Sequence, residues 1–193
     1  PHFRKAMTLR EEHLGEHADT AVSVADYAYT LRQLGRLGEA EPYYRRALDI
    51  RIAVLGPDDA ETARSWQRLA RLVDQRGDHL RAAGLMDEAI RAGIAAFGAD
   101  DAAVMTWTGE RAAMLHDGGR LDDAERDYRA VIAAAQAGVL MAQGPEEATA
   151  QTGLANLLRA QRRDDEVEAL YRAALATRER MHGPVHALVA SVL

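Results

Sequence analysis

Along most of this chain apolar residues return every three or four positions, the 3.6-residue period of amphipathic helices. Reading that period places helices near 19–34, 60–76, 102–117 and 146–161, each followed by a second near 38–55, 80–97, 121–142 and 165–181. The first helix of each pair is termed A and the second B. The pattern predicts an all-α chain of antiparallel helix pairs and no sheet.

The pairs are copies of one another. Leu14-Gly15, Leu55-Gly56 and Phe97-Gly98 recur at intervals of 41 and 42 residues, and Ala40, Ala82, Ala124 and Val167, which open the B helices, recur at 42, 42 and 43. A fixed period of this size is the signature of a stacked repeat array. Each A helix carries a small residue at one equivalent position, Ala28, Ala70, Ala112 and Ala155, where two helices can approach closely. Each B helix carries a large one, Tyr44, Met86, Tyr128 and Tyr171, four residues after its opening small residue and on the same face, sized to fill the space left.

Punctuation follows the same register. Gly35, Gly77 and Gly119 end the A helices, where a left-handed residue is needed, while Arg162 stands at the fourth such turn and predicts a looser one. The acidic pairs Asp58-Asp59, Asp100-Asp101, Asp122-Asp123 and Asp164-Asp165 fall at helix starts, where carboxylates accept unpaired backbone N–H groups. From Ile132 to Gly144 is 12 residues, against 8 from Leu48 to Gly56, which predicts a third B helix about one turn (~4 residues) longer, with 138–141 projecting or repacked against the next repeat.

Composition narrows the classes. With 48% apolar and 28% charged residues over 193 positions the chain can bury a core, and no run of ~18 apolar residues predicts a membrane span. Lys and Arg number 24 against 30 Asp and Glu, a net charge of −6 that argues against nucleic acid or an anionic membrane as partner. There is no cysteine, hence no thiolate chemistry or Cys-ligated metal, and a cytoplasmic setting is expected. Lys5 is the only lysine; with Arg and Ala abundant, this points to a GC-rich bacterial gene.

The string His13-Leu14-Gly15-Glu16-His17 matches the H-x-x-E-H form of inverted zinc peptidases, which requires both imidazoles on one continuous helix. Gly15 holds the inter-repeat turn position of Gly56 and Gly98, so the helix is expected to break there. His182 and His186 have the same spacing, interrupted by Pro184. With no G-x-S-x-G, G-x-G-x-x-G or P-loop string either, no catalytic residue, metal site or cofactor is expected.

The run Leu-Ala-x-x-Leu, turn Gly, Ala-Glu-x-x-Tyr-x-x-Ala-Leu-x-Ile-Arg, Leu-Gly-Pro-Asp-Asp-x-x-Thr-Ala, closest over 40–63, resembles the tetratricopeptide repeat in its longer, kinesin-light-chain-like form. The resemblance covers the chain as one array. Repeats fall at 19–57, 60–99, 102–144 and 146–183, with 1–15 a remnant of a preceding B helix and 184–193 the start of a further A helix, as in a piece cut from a larger protein. Kinesin-light-chain repeats typically place Asn two residues before the small Ala; here Asp26, Arg68, Glu110 and Gly153 stand there.

The resemblance implies a right-handed superhelical solenoid whose concave groove is lined by A helices and takes an extended peptide or a partner helix. Positions three before, one after, and four and five after the small Ala share that face. They give Ala25, Tyr29, Arg32 and Gln33; Gln67, Arg71, Asp74 and Gln75, with Arg64 a turn earlier; Gly109, Ala113, His116 and Asp117; and Thr152, Asn156, Arg159 and Ala160. Arg32, Arg64 and Arg71 on one face of an acidic chain suit an acidic peptide, because guanidinium forks match carboxylates. The expected function is a non-catalytic scaffold or adaptor for a protein or peptide. The alternatives are self-association through exposed end repeats and a regulatory or sensor segment of a larger kinase, nucleotide-switch enzyme or protease.

Overall fold

The computed structural model describes residues 8, 9, 13, 15, 17–140 and 144–182. Those residues form eight bounded helices with no strand, and residues 8, 9 and 13 are also helical. The chain divides into two compact units, residues 1–99 and 100–193.

Unit 1 holds α1 (Ala18–Gln33), α2 (Leu37–Leu55), α3 (Ala60–Gln75) and α4 (His79–Phe97). Helices α1 and α2 pack as one hairpin, α3 and α4 as another, and α2 also packs on α3. The small-large rule explains the fit: Ala28 and Ala70 are fully buried, and Tyr44 and Met86 are buried with them. One residue before Ala28, Tyr27 meets Tyr43 edge to face with ring centroids 4.8 Å apart.

Unit 2 holds α5 (Ala102–Asp117), α6 (Leu121–Gln136), α7 (Pro145–Ala160) and α8 (Val167–His182) in the same arrangement. At the place of the tyrosine pair it carries an ion pair. Arg111 donates from Nε and Nη2 to the two carboxylate oxygens of Asp127, at 2.7 and 2.9 Å.

The A-to-B turns are closed by paired backbone bonds. Gly35 at φ 74° donates to Arg32 O and Arg36 to Leu31 O, each at 3.0 Å. The turn at Arg162 is not looser: Arg162 itself takes φ 60° and the matching bonds are 3.0 and 2.9 Å. The two hydrogen bonds outweigh the steric cost, about 1–2 kcal/mol, of a side chain in the left-handed region.

The third B helix is also not longer. Helix α6 stops at Gln136, with Gly138 at φ 80° and Val139 N–H donating back to Ala134 O at 2.9 Å. The extra residues form that stop and bring Leu140 into the interior, 5% exposed; Met141 lies outside the described residues. Of the acidic pairs, Asp59 and Asp101 cap α3 and α5 through 2.8 Å bonds from the second residue on. Asp122 and Asp123 lie inside the first turn of α6, where Asp123 pairs with Arg120 and Arg126. Helix α1 is capped by His17, whose Nδ1 accepts from Asp19 N–H at 3.2 Å.

In each unit a largely buried carboxylate gathers arginines from neighbouring hairpins. Glu41, next to Ala40 and 9% exposed, accepts from Arg45 at 3.2 Å, from Arg76 in the α3–α4 turn and from Arg81 in α4. In unit 2 Glu125 accepts from Arg129 at 2.9 Å and from Arg163 in the α7–α8 turn at 2.5 Å. Burial opposes ionisation of Glu41, but Arg81, Arg45 and Arg76 together outweigh it and hold its carboxyl below the usual range. The Arg163 hydrogen bond does the same for Glu125 against its burial, helped by Arg129. A carboxylate depressed in the folded state contributes stability above its unfolded value of about 4.3, and loses it as pH falls through the lower folded value. Glu41→Gln should therefore lower stability at neutral pH by about 1–2 kcal/mol and flatten the loss below pH ~4, because the Arg partners are part-exposed and solvent-screened. Urea midpoints at a series of pH values check this; an acid limb as steep as the parent's would remove Glu41 from the account.

Candidate functional site

The A-helix face of unit 1 forms an open recess of about 410 Å³. Its lining contains five positions that periodicity selected, Ala25, Tyr29 and Arg32 from α1 and Gln67 and Arg71 from α3, together with Asp26, Arg68 and Tyr44. Tyr44 is the large residue of the repeat core, 3% exposed, while Tyr29 of α1 is 52% exposed. Burial raises the Tyr44 phenol above its ordinary value, with Arg32 and Arg68 pulling the other way.

Three guanidinium groups and one carboxylate thus face a single opening. Arg32 is held across the two A helices, its Nε donating to Gln75 Oε1 at 2.7 Å. Gln75 acts by orienting that arginine and is not itself in the lining. A fourth cation stands close by in the interior: Arg51, 4% exposed, donates to Ser65 Oγ at 2.5 Å and lies 3.7 Å from Glu61. Burial lowers its pKa, Glu61 opposes, and the charges of Arg68 and Asp26 reach it.

Other selected residues do other work. Arg64 pairs with Glu61 and lies 5.4 Å from the centre of the Phe97 ring, outside the recess. Gln33 is exposed beside the C-terminus of α1 and is also outside the lining. In unit 2 His116 meets the Tyr128 ring edge-on at 6.3 Å. Asn156 Oδ1 accepts from the Tyr171 hydroxyl at 2.5 Å, and Arg159 lies 5.9 Å from that ring's centre. These two hold Tyr171, and Arg159 lines a separate recess along α8.

The residues that the offset count missed, Asp26 and Arg68, stand two before the small Ala. Their signal was present, because that position lies one residue from the selected −3 position and borders the same face. In the H-x-x-E-H string, Gly15 takes φ 59° and His17 is an extended N-cap, so the two imidazoles do not share a helix. Among the described residues no three His, Asp or Glu side chains converge as a metal would require, and no helix is long and apolar enough to cross a membrane. His186 lies outside the described residues.

The tetratricopeptide repeat family profile matches residues 1–51, 22–94 and 101–193. No curated protein sequence matches the chain. Among solved structures, the kinesin-light-chain nearly identical TPR-like repeats of Podosopora anserina superpose with a TM-score of 0.79 at 19% identity, over 93% of this chain and 85% of that one. BtubC (BKLC) from P. vanneervenii superposes with a TM-score of 0.81 at 20% identity, over 94% and 72%. At these identities the likeness is one of fold.

Proposed function

Because the chain belongs to the tetratricopeptide repeat family, whose members generally serve as non-catalytic scaffolds for protein partners, we propose that unit 1 binds an extended acidic peptide across α1 and α3. One observation carries the reading: Arg32, Arg68 and Arg71 line one recess with a single carboxylate, in a chain whose net charge is −6. An acidic partner repelled by the whole molecule needs such a local cationic surface to dwell on. Arg32 is already oriented by Gln75, which reduces the side-chain ordering that binding must impose. Tyr29, half exposed in the same lining, offers an apolar face with a polar tip beside the guanidinium groups.

A part-exposed arginine–carboxylate contact contributes about 0.5–1 kcal/mol, and reversing the charge adds repulsion of similar size. Arg71→Glu should therefore weaken an acidic peptide ~5–30-fold without loss of helicity, and added salt should weaken the parent. Titration of an acidic peptide library against parent and variant at low and high salt decides it. Binding indifferent to both salt and the substitution would end the assignment.

A further inference from the structure

Unit 2 carries a recess of about 290 Å³ with the opposite chemistry. Behind it lie Tyr128 and Val131 of α6, both buried, while Met105 and Ala113 of α5 and Pro145 of α7 are the apolar residues of its lining that reach solvent, with Gly109 between them. Thr106 and Thr149, also in the lining, donate their hydroxyls back to Ala102 O and Pro145 O at 2.8 and 2.7 Å. The charged groups of the lining are Glu110 and Glu146, and none is basic.

The opening exists because α5 is small where the other A helices are larger. One residue after the small Ala stand Tyr29, Arg71, Ala113 and Asn156; three before it stand Ala25, Gln67, Gly109 and Thr152. Packing does not require the glycine. A Cβ on Gly109 would meet Val131 at 3.5 Å, an ordinary contact, yet a glycine inside a helix is less favourable than alanine. The residue is thus suboptimal for stability and suited to keeping the recess open. Residues 100–193 hold 10 Arg and no Lys against 15 Asp and Glu, so the unit as a whole favours a cationic partner.

We infer that this recess is a docking subsite for a partner segment in which one apolar side chain is flanked by Arg or Lys. The apolar side chain covers Met105, Ala113 and Pro145, the part of the apolar lining open to water, and releases water from them. The flanking cations reach Glu110 and Glu146, where charge-assisted hydrogen bonds select them over neutral or acidic neighbours. The subsite goes beyond the acidic-peptide reading of unit 1 and does not rest on it.

The test uses the whole chain and three fluorescent peptides that differ only around a central leucine: Arg-Leu-Arg, Ser-Leu-Ser and Glu-Leu-Glu in a Gly/Ser background. In an Arg71→Glu background, which weakens acidic-peptide binding at unit 1, the Arg-Leu-Arg peptide should bind at least ~5-fold tighter than either control, and more weakly as salt rises. Ala113 is exposed, so Ala113→Met should fold normally while filling the recess and lowering affinity ~10-fold. Glu146→Gln should lower it ~3-fold. Gly109→Ala should raise the melting temperature by ~2–4 °C and still weaken the peptide, a separation of stability from binding that a purely structural glycine would not give. Arg71→Glu should leave this affinity unchanged, so that failure here and failure of the unit 1 reading are told apart. Equal binding of the acidic and basic peptides in the Arg71→Glu background, no binding of Arg-Leu-Arg, or indifference to Ala113→Met would each overturn the inference.

Discussion

Arg111→Leu should destabilise unit 2 by about 2–4 kcal/mol, whereas Arg111→Leu combined with Asp127→Leu should leave it unchanged or more stable. The asymmetry follows from burial. Asp127 has a side chain 7% exposed and Arg111 one 23% exposed, and the two share a bidentate pair. Removing the arginine leaves a carboxylate in the interior with its fork partner gone, a larger loss than the pair itself contributes. Removing both removes two desolvation costs. The other repeats show that the position accepts apolar groups: Tyr27 and Tyr43, Leu69 and Leu85, and Leu154 and Leu170 stand at the equivalent places. Because Arg111 keeps some contact with water, the single-variant loss falls below that of a fully enclosed pair. Urea denaturation followed by Trp107 fluorescence, in a Trp66→Phe background, reads unit 2 alone. A double variant as unstable as the single would show that the ion pair is not interchangeable with apolar packing.

Gly153→Ala should cost about 1–3 kcal/mol although alanine is the better helix former by about 1 kcal/mol. A Cβ at this position would sit 2.5 Å from Cζ of Tyr128 and 2.7 Å from Cε1 and Oη. Tyr128 cannot retreat, because its side chain is 4% exposed in the repeat core. Its burial, reinforced by Asp117, also pushes the phenol pKa well above the ordinary value. The sign should invert in a Tyr128→Leu background, where the three clashing atoms are absent and the propensity gain of about 0.5–1 kcal/mol is left alone. Thermal melts of the four proteins in this cycle measure the coupling directly. Additive effects would mean that the ring and Gly153 do not constrain one another. Tyr128→Ala itself should cost about 3–5 kcal/mol through the cavity it leaves.

The same cycle gives the departure at Gly153 a physical meaning. Asp26, Arg68, Glu110 and Gly153 stand at one repeat position, and only the fourth lacks a side chain. Aligned copies expose the oddity, but they do not say that a tyrosine from the preceding B helix lies against it. That contact joins residues 25 positions apart and depends on how α6 and α7 are seated.

What the sequence determined by itself is whatever a period can carry. The 3.6-residue spacing fixed which residues share a helix face, and the 42-residue interval fixed which positions correspond. Together they marked the buried alanines and the large residues set against them, and put Tyr29, Arg32, Gln67 and Arg71 on one surface. Tertiary structure decided the rest, where the outcome turns on competition between partners. Helix α6 stops at Gln136 because a left-handed Gly138 and a buried Leu140 are more favourable than another helical turn. Arg162 takes a glycine conformation because the turn's hydrogen bonds repay the strain. The arginines make the distinction plainest. Sequence places each Cβ, but a guanidinium lies four rotatable bonds further out and goes where carboxylates, rings and water draw it. Arg64 is drawn to Glu61 and Phe97, Arg111 to Asp127, and Arg68 is left facing the opening.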